Sequence, residues 1–243
     1  MPTSSTGVAG PEPSTTVAGP TTFREATADD PLLIWVIGDS LAGTLGYAVR
    51  DLAEATGVTD VVVDHENGSG LVRPNFFHWP TFVSERMPEV RPEVVVVHIG
   101  ANDGQALHTP DAYLEPGTPE WIERYDREVG DFMDLLAYAS EHVYWVGPPS
   151  VRSEVSNERM RLIGDRHAAQ AALRPTITYF DSFTLLVDEE GRYADALPNA
   201  SGRVVEMRQP DGIHYTGDGG YYLAAAVVEV IAADWGFAGL LDG

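Results

Sequence analysis

Four short groups of residues with acyl-transfer chemistry in them occur along the chain: Gly38-Asp39-Ser40-Leu41, Ser69-Gly70, Gly100-Ala101-Asn102-Asp103 and Asp211-Gly212-Ile213-His214. A serine hydroxyl is a weak nucleophile until a base takes its proton. Histidine, which ordinarily titrates near neutrality, is well suited to take it. The imidazole needs its tautomer fixed, and a carboxylate three residues earlier reaches it across one turn. Ser40, His214 and Asp211 are therefore the candidate nucleophile, base and orienting acid. Attack on an ester carbonyl builds an oxyanion that preorganised donors must receive. Ser40 opens a helical stretch, so its own N–H points outward at the positive end of the helix dipole. Gly70 offers an N–H with no side chain in the way, and Asn102 offers its side-chain amide.

These groups need a scaffold that brings distant loops together. Leu32–Ile37 is an apolar run read as a first strand, and Leu41, Leu45, Val49 and Leu52 follow at helical spacing. Val61–Val63, Val94–Ile99, His142–Val146 and Ile177–Phe180 read as four further strands. Helices are predicted over Trp79–Met87, Pro119–Ser140, Glu154–Ala172 and Tyr221–Ala233, the second with Thr118 as N-cap and Pro119 at its first position. Residues 184–210 are irregular. Strands alternating with helices imply an α/β fold: a single doubly wound domain of about five parallel strands flanked by helices on both faces. Ligands bind such sheets beyond the carboxyl ends of the strands. All four groups fall on that edge, although the strands were read from apolar runs and not from the motifs.

The four blocks in this order resemble those of the SGNH (GDSL-type) hydrolase family, over roughly residues 32–233. Gly70-Leu71-Val72-Arg73-Pro74, with the third and fourth blocks, is similar to a bacterial envelope-associated subfamily. The resemblance implies a flavodoxin-like SGNH fold and a serine esterase that needs no cofactor. It makes Ser40 the nucleophile, His214 the base and Asp211 its partner. The oxyanion hole it implies comprises the Ser40 N–H, the Gly70 N–H and the Asn102 amide, with Gly68 as the alternative to Gly70. The chain has no Gly-x-Ser-x-Gly elbow, and Asp211 and His214 share one loop, unlike the α/β-hydrolases.

Other residues have weaker claims. Arg73 and Asp103 are candidate substrate contacts, and Gln105 either touches substrate or braces its loop. Asp39 is expected to hold the motif loop by hydrogen bonds. His98 is expected to be a hydrogen-bonded core residue, and His78 and Trp79 to pack. Residues 191–209 are a candidate lid or specificity loop, and no further ligands accompany Asp211 and His214 for a metal site.

Composition narrows the partners. The 243 residues carry 15 Arg, no Lys and a formal charge of −22, a field that repels nucleic acid and anionic membranes. There is no cysteine, which removes disulfide and thiolate chemistry. No stretch approaches the roughly 18 apolar residues of a membrane span. Residues 1–30 are expected to be a disordered Pro/Thr/Ser/Gly-rich tether and residues 31–243 the catalytic domain. Tethers of this kind join an anchor or signal peptide to an exported domain, so the chain is expected to begin inside a longer exported protein. The expected function is hydrolysis of small-molecule or glycan esters, such as O-acetyl or short acyl groups on a carbohydrate. O-Acyl transfer to a cell-envelope glycan by the same residues is the alternative, and a non-catalytic envelope binding module is a third.

Overall fold

A computed structural model describes residues 23–109, 111–199 and 201–241. In chain order the elements are β1 (Leu32–Gly38), α1 (Ser40–Glu54), β2 (Thr59–His65), α2 (Trp79–Val90), β3 (Val94–His98), β4 (Leu107–His108), β5 (Tyr113–Leu114) and α3 (Pro119–Ala139). They continue with β6 (His142–Val146), α4 (Glu154–Ala171), β7 (Ile177–Phe180), α5 (Ser182–Leu185), β8 (Ala196–Pro198), β9 (Val204–Glu206) and α6 (Gly217–Asp234). Five strands form one parallel sheet in the order β2-β1-β3-β6-β7. The order reverses between β1 and β3, the switch point where doubly wound sheets leave a crevice.

The strands are apolar because both faces are covered. On β1 and β3, Ile34, Val36, Val94 and Val96 face one cluster with Leu45 and Val49 of α1 and Val227 and Ile231 of α6. Their neighbours Trp35, Ile37, Val95 and Val97 face the other, with Trp79 of α2, Trp121 and Phe132 of α3 and Ile163 of α4. All five tryptophans are fully buried; truncating a side chain of that kind in a packed core costs roughly 3–5 kcal/mol. Thr118 caps α3 through Trp121 N–H as the sequence predicts. No helix among the described residues is long and apolar enough to cross a membrane.

Four elements differ from the sequence reading. β2 runs in register with β1 from Thr59 to His65. As an edge strand it carries polar residues that a search for apolar runs discards. α6 begins at Gly217, capped by Thr216, whose Oγ1 accepts from Gly219 N–H at 3.0 Å. Three glycines in its first turn have poor helix propensity and hid this start. The 184–210 stretch contains the antiparallel pair β8–β9, which buries Leu197 and Val205. Finally, residues 1–22 of the expected tether lie outside the described residues, but residues 23–30 belong to the packed domain. The Phe23 ring stacks on Trp235 at 4.5 Å, and Arg24 pairs with both carboxylate oxygens of Glu93 at 2.5 and 2.6 Å. Two anchors in an otherwise polar segment move the boundary.

Candidate active site

The first block leaves the sheet at Gly38, whose φ of +148° suits glycine. A Cβ there would stand 1.9 Å from the His98 carbonyl, so only glycine lets β1 end this close to β3. Asp39 follows, fully buried, and caps α1 by accepting from Leu41 N–H at 2.9 Å. Its other oxygen accepts from Gly100 and Ala101 N–H at 3.1 and 3.0 Å. One carboxyl thus ties the first block to the third, the holding role expected for it. Burial pushes Asp39 up to about 7 against the pull of these donors. Ser40 is the first residue of α1, and its N–H has no partner among the described residues, as the first turn of a helix dictates.

The fourth block reaches over from the α6 side. His214 Nε2 lies 2.9 Å from Ser40 Oγ, and Nδ1 lies 2.6 Å from Asp211 Oδ2. A carboxylate can only accept, so the network assigns the proton to Nδ1 and leaves Nε2 to accept from the serine hydroxyl. The second Asp211 oxygen accepts from Ile213 and His214 N–H at 2.9 and 3.0 Å. The His214 hydrogen bond, aided by these two, holds Asp211 down at about 2. Both side chains meet solvent, at 37% exposure for His214 and 44% for Asp211. The loop is anchored one residue on: the buried Tyr215 hydroxyl donates to His98 Nε2 at 3.0 Å, while His98 Nδ1 donates to the Val146 carbonyl at 3.1 Å. His98 is therefore a hydrogen-bonded core residue, and burial lowers it to about 4.

The third block brings Asn102 to the cleft with its Nδ2 donating to the Ser69 carbonyl at 2.9 Å. One amide hydrogen is left for a ligand. Ser69 is itself locked, accepting from Trp79 Nε1 at 3.0 Å and donating to the Glu66 carbonyl at 2.7 Å. Trp79 packs, and His78 caps α2 through Thr81 N–H.

The second block places its two glycines differently. All peptide bonds among the described residues are trans, so the Gly70 N–H points opposite to the Ser69 carbonyl and hence away from the Asn102 amide. Gly70 is buried behind the wall, where a Cβ would come 2.1 Å from Asp103 Oδ1. Its lack of a side chain serves close packing. Gly68, at φ +75°, is the glycine of this block that lines the cleft. Residue type cannot reveal which way a peptide unit faces, which is why the sequence left Gly68 and Gly70 as alternatives.

Neither expected substrate contact reaches the cleft. Asp103 is fully buried and accepts from Val72 N–H at 3.2 Å and the Tyr125 hydroxyl at 2.9 Å, bracing the second-block loop. The Arg73 guanidinium donates to the Gly68 carbonyl and lies 4.9 Å from the Phe76 ring. Gln105 donates to the Asn102 carbonyl, the bracing outcome. The cleft has a volume of about 860 Å³. Beside Ser40, Asn102 and His214 it is lined by Gln209, the last residue of the candidate specificity loop, and by Tyr47, Asp51, His65 and Tyr221, which the sequence reading missed. Tyr47, Asp51 and Tyr221 sit on helices, where a polar or aromatic outer position looks like ordinary surface. Among the described residues, no group of three His, Asp or Glu could hold a metal ion.

Four buried groups set an acid response. Burial raises Asp39 to about 7 and Asp103 to about 6, so the fold keeps protons that the unfolded chain has released above 3.8. The stability they contribute is lost as pH rises through that window. Burial lowers His98 to about 4 and His167 to about 3, so the unfolded chain gains protons below 6.5 that the fold refuses. Their contribution is lost as pH falls. The two dependences oppose each other between about pH 4 and 6.5. His167→Gln removes part of one side. Its Tm at pH 4.5, measured relative to its own Tm at pH 7, is expected to lie several degrees above the same difference for the parent protein. An unchanged difference would show that His167 takes no part.

A family model described as "Protein of unknown function (DUF459)" matches residues 33–230. No curated protein matches the chain in sequence. Among solved structures, a provisionally assigned SGNH hydrolase from Slackia heliotrinireducens superposes with a TM-score of 0.58 at 17% identity, covering 83% of this chain and 100% of that one. A catalytic mutant of an acetylxylan esterase from Geobacillus stearothermophilus gives 0.55 at 15% identity, covering 89% and 97%. The C-terminal catalytic domain of peptidoglycan O-acetyltransferase A from Streptococcus pneumoniae gives 0.53 at 16% identity, covering 85% and 95%. At such identities the likeness is one of fold.

Proposed function

We propose that this chain, which belongs to the DUF459 family and has the SGNH hydrolase fold, cleaves carboxylic esters through an acyl-serine intermediate. The observation that carries the reading is the hydrogen-bonded chain Ser40–His214–Asp211 beside the Asn102 amide, in one open cleft. In the first half-reaction His214 Nε2 takes the Ser40 proton as Oγ attacks the acyl carbon. The Ser40 N–H and the remaining Asn102 amide hydrogen receive the oxyanion. His214 then gives its proton to the departing alkoxide. In the second half-reaction His214 takes a proton from water, which attacks the acyl-serine, and returns that proton to Ser40 Oγ as the acid leaves. Asp211 fixes the Nδ1–H tautomer throughout.

The substrate proposed is an O-acetyl or short acyl ester on a carbohydrate. Tyr47 and Tyr221 line the cleft, and no Arg is among its described lining residues. An acetylxylan esterase and a peptidoglycan O-acetyltransferase among the structural neighbours support the same range. The Pro/Thr/Ser/Gly-rich residues 1–22 support an exported setting, where such esters are exposed. Transfer to a glycan hydroxyl would use the same groups and differ only in what attacks the acyl-serine. The exposure of His214 and Asp211 favours water.

Turnover of p-nitrophenyl acetate, with labelling of Ser40 by a fluorophosphonate probe, tests the reading. Absence of both would leave a binding module. A rise in turnover on adding sugar acceptors would favour the transferase. Asn102→Ala is expected to lower kcat by about 10²–10³, the usual effect of losing one oxyanion donor. A fall confined to KM would remove Asn102 from that role.

A further inference from the structure

We infer that a second groove beside the catalytic cleft is a distal subsite for an uncharged oligosaccharide chain, separated from the cleft by a bar formed by Tyr221 and Asp51. This deepens the proposed function and rests on it. The groove, of about 750 Å³, lies between the outer face of α6, Leu52 of α1 and the β8–β9 hairpin. Tyr221 belongs to both walls, and its hydroxyl donates to Asp51 Oδ2 at 2.6 Å, so the bar bridges α6 and α1. The two hollows therefore adjoin at this hydrogen-bonded pair.

The lining selects the occupant. Tyr221 and Tyr222 offer ring faces, while Pro198, Val205 and Ala225 supply apolar surface for the C–H face of a sugar. Asn199, Ser201 and Glu229 offer polar groups for its hydroxyls. An acyl chain leaving Ser40 would have to cross the Asp51 carboxylate and the Tyr221 hydroxyl, burying both without new partners, which is costly. A polyanion would meet Asp51, Asp218 and Glu229, against Arg203 on the groove wall and Arg50, which lies 3.7 Å from Asp51. A neutral glycan crosses the bar by hydrogen-bonding to it. Ser40 and Asp51 lie eleven positions apart on α1, a rise of about 16 Å, so a chain reaching the second groove needs about three or four sugar units.

The test uses acetylated neutral oligosaccharides of increasing length, an acetylated uronate-containing set and p-nitrophenyl esters of increasing acyl length. The expected result is a rise in kcat/KM of at least about tenfold from the monosaccharide to the tetrasaccharide ester, with the uronate set poorer. Ala225→Trp fills the groove from an exposed position on α6. It is expected to abolish this length dependence with Tm unchanged. A parallel measurement needs no turnover: calorimetric binding of the unacetylated tetrasaccharide to Ser40→Ala protein, expected to weaken about tenfold when Ala225→Trp is added. Equal length dependence and equal binding with and without Ala225→Trp overturn the subsite. A preference for long acyl chains that Ala225→Trp removes also overturns it, assigning the groove to the acyl group. Failure to turn over any ester, with Ser40 unlabelled, counts against the esterase and leaves the binding measurement to decide the groove.

Discussion

In the Ser40→Ala variant, kcat on p-nitrophenyl acetate is expected to fall by about 10⁵- to 10⁶-fold, because the hydroxyl hydrogen-bonded to His214 Nε2 is gone. The substitution is mild for the fold. Ser40 is partly exposed, and its hydroxyl makes one hydrogen bond, to His214. The backbone N–H that serves the oxyanion survives in alanine, so Tm is expected to stay within about a degree or two. What remains above the uncatalysed rate is the work of that N–H and Asn102. His214→Ala should cost about as much, and the double variant no more than either, since nucleophile and base act as a unit. A Ser40→Ala protein with near-parent kcat would sink the mechanism, and additive losses would separate the two residues.

Asp211→Asn is expected to lower kcat by about 10³-fold with KM nearly unchanged. An amide presents hydrogens as well as an oxygen, so it also stabilises the tautomer that carries the proton on Nε2. That nitrogen would then face the Ser40 hydroxyl with a hydrogen and accept nothing. In buried triads the same change costs about 10⁴-fold. Here the two side chains are 44% and 37% exposed, and water shares in solvating the imidazolium, so the loss is smaller. The sign of the acid response follows from the same pair. Asp211 is held at about 2, below its ordinary 3.8, so its contribution to stability is present above 3.8 and lost only as pH falls through about 2. Inactivation of the parent protein above pH 4 is therefore not titration of Asp211. A kcat for Asp211→Asn within tenfold of the parent would show that the carboxylate does not set the tautomer.

Residue type carried most of the site. Serine after a strand, asparagine after another strand and aspartate three residues before histidine each state a capacity, and the strand pattern places them on one edge. Direction is where legibility stopped. Gly68 and Gly70 are identical in type, and only the peptide orientation imposed by the Asn102–Ser69 bond tells them apart. Asp103 and Arg73 carry the charge of binding residues, yet each turns to backbone groups of the second-block loop. The cleft walls were hidden for another reason: Tyr47, Asp51 and Tyr221 converge only because α1 packs against α6, a contact between residues some 170 positions apart. The strands and long helices were legible from apolar periodicity. The β2 ends, the α6 start and the Phe23 anchor depend on tertiary partners that no local pattern contains.

The Asp39 carboxyl, joining α1 to the Gly100–Ala101 turn, has one more consequence. Ser40 on α1 and Asn102 beyond that turn therefore travel as one piece, whereas the base His214 enters from the loop that leads into α6. The β8–β9 hairpin carries none of these groups. Drift there acts on the wall of the second groove, whereas a single change at residue 39 disturbs nucleophile and oxyanion donor together.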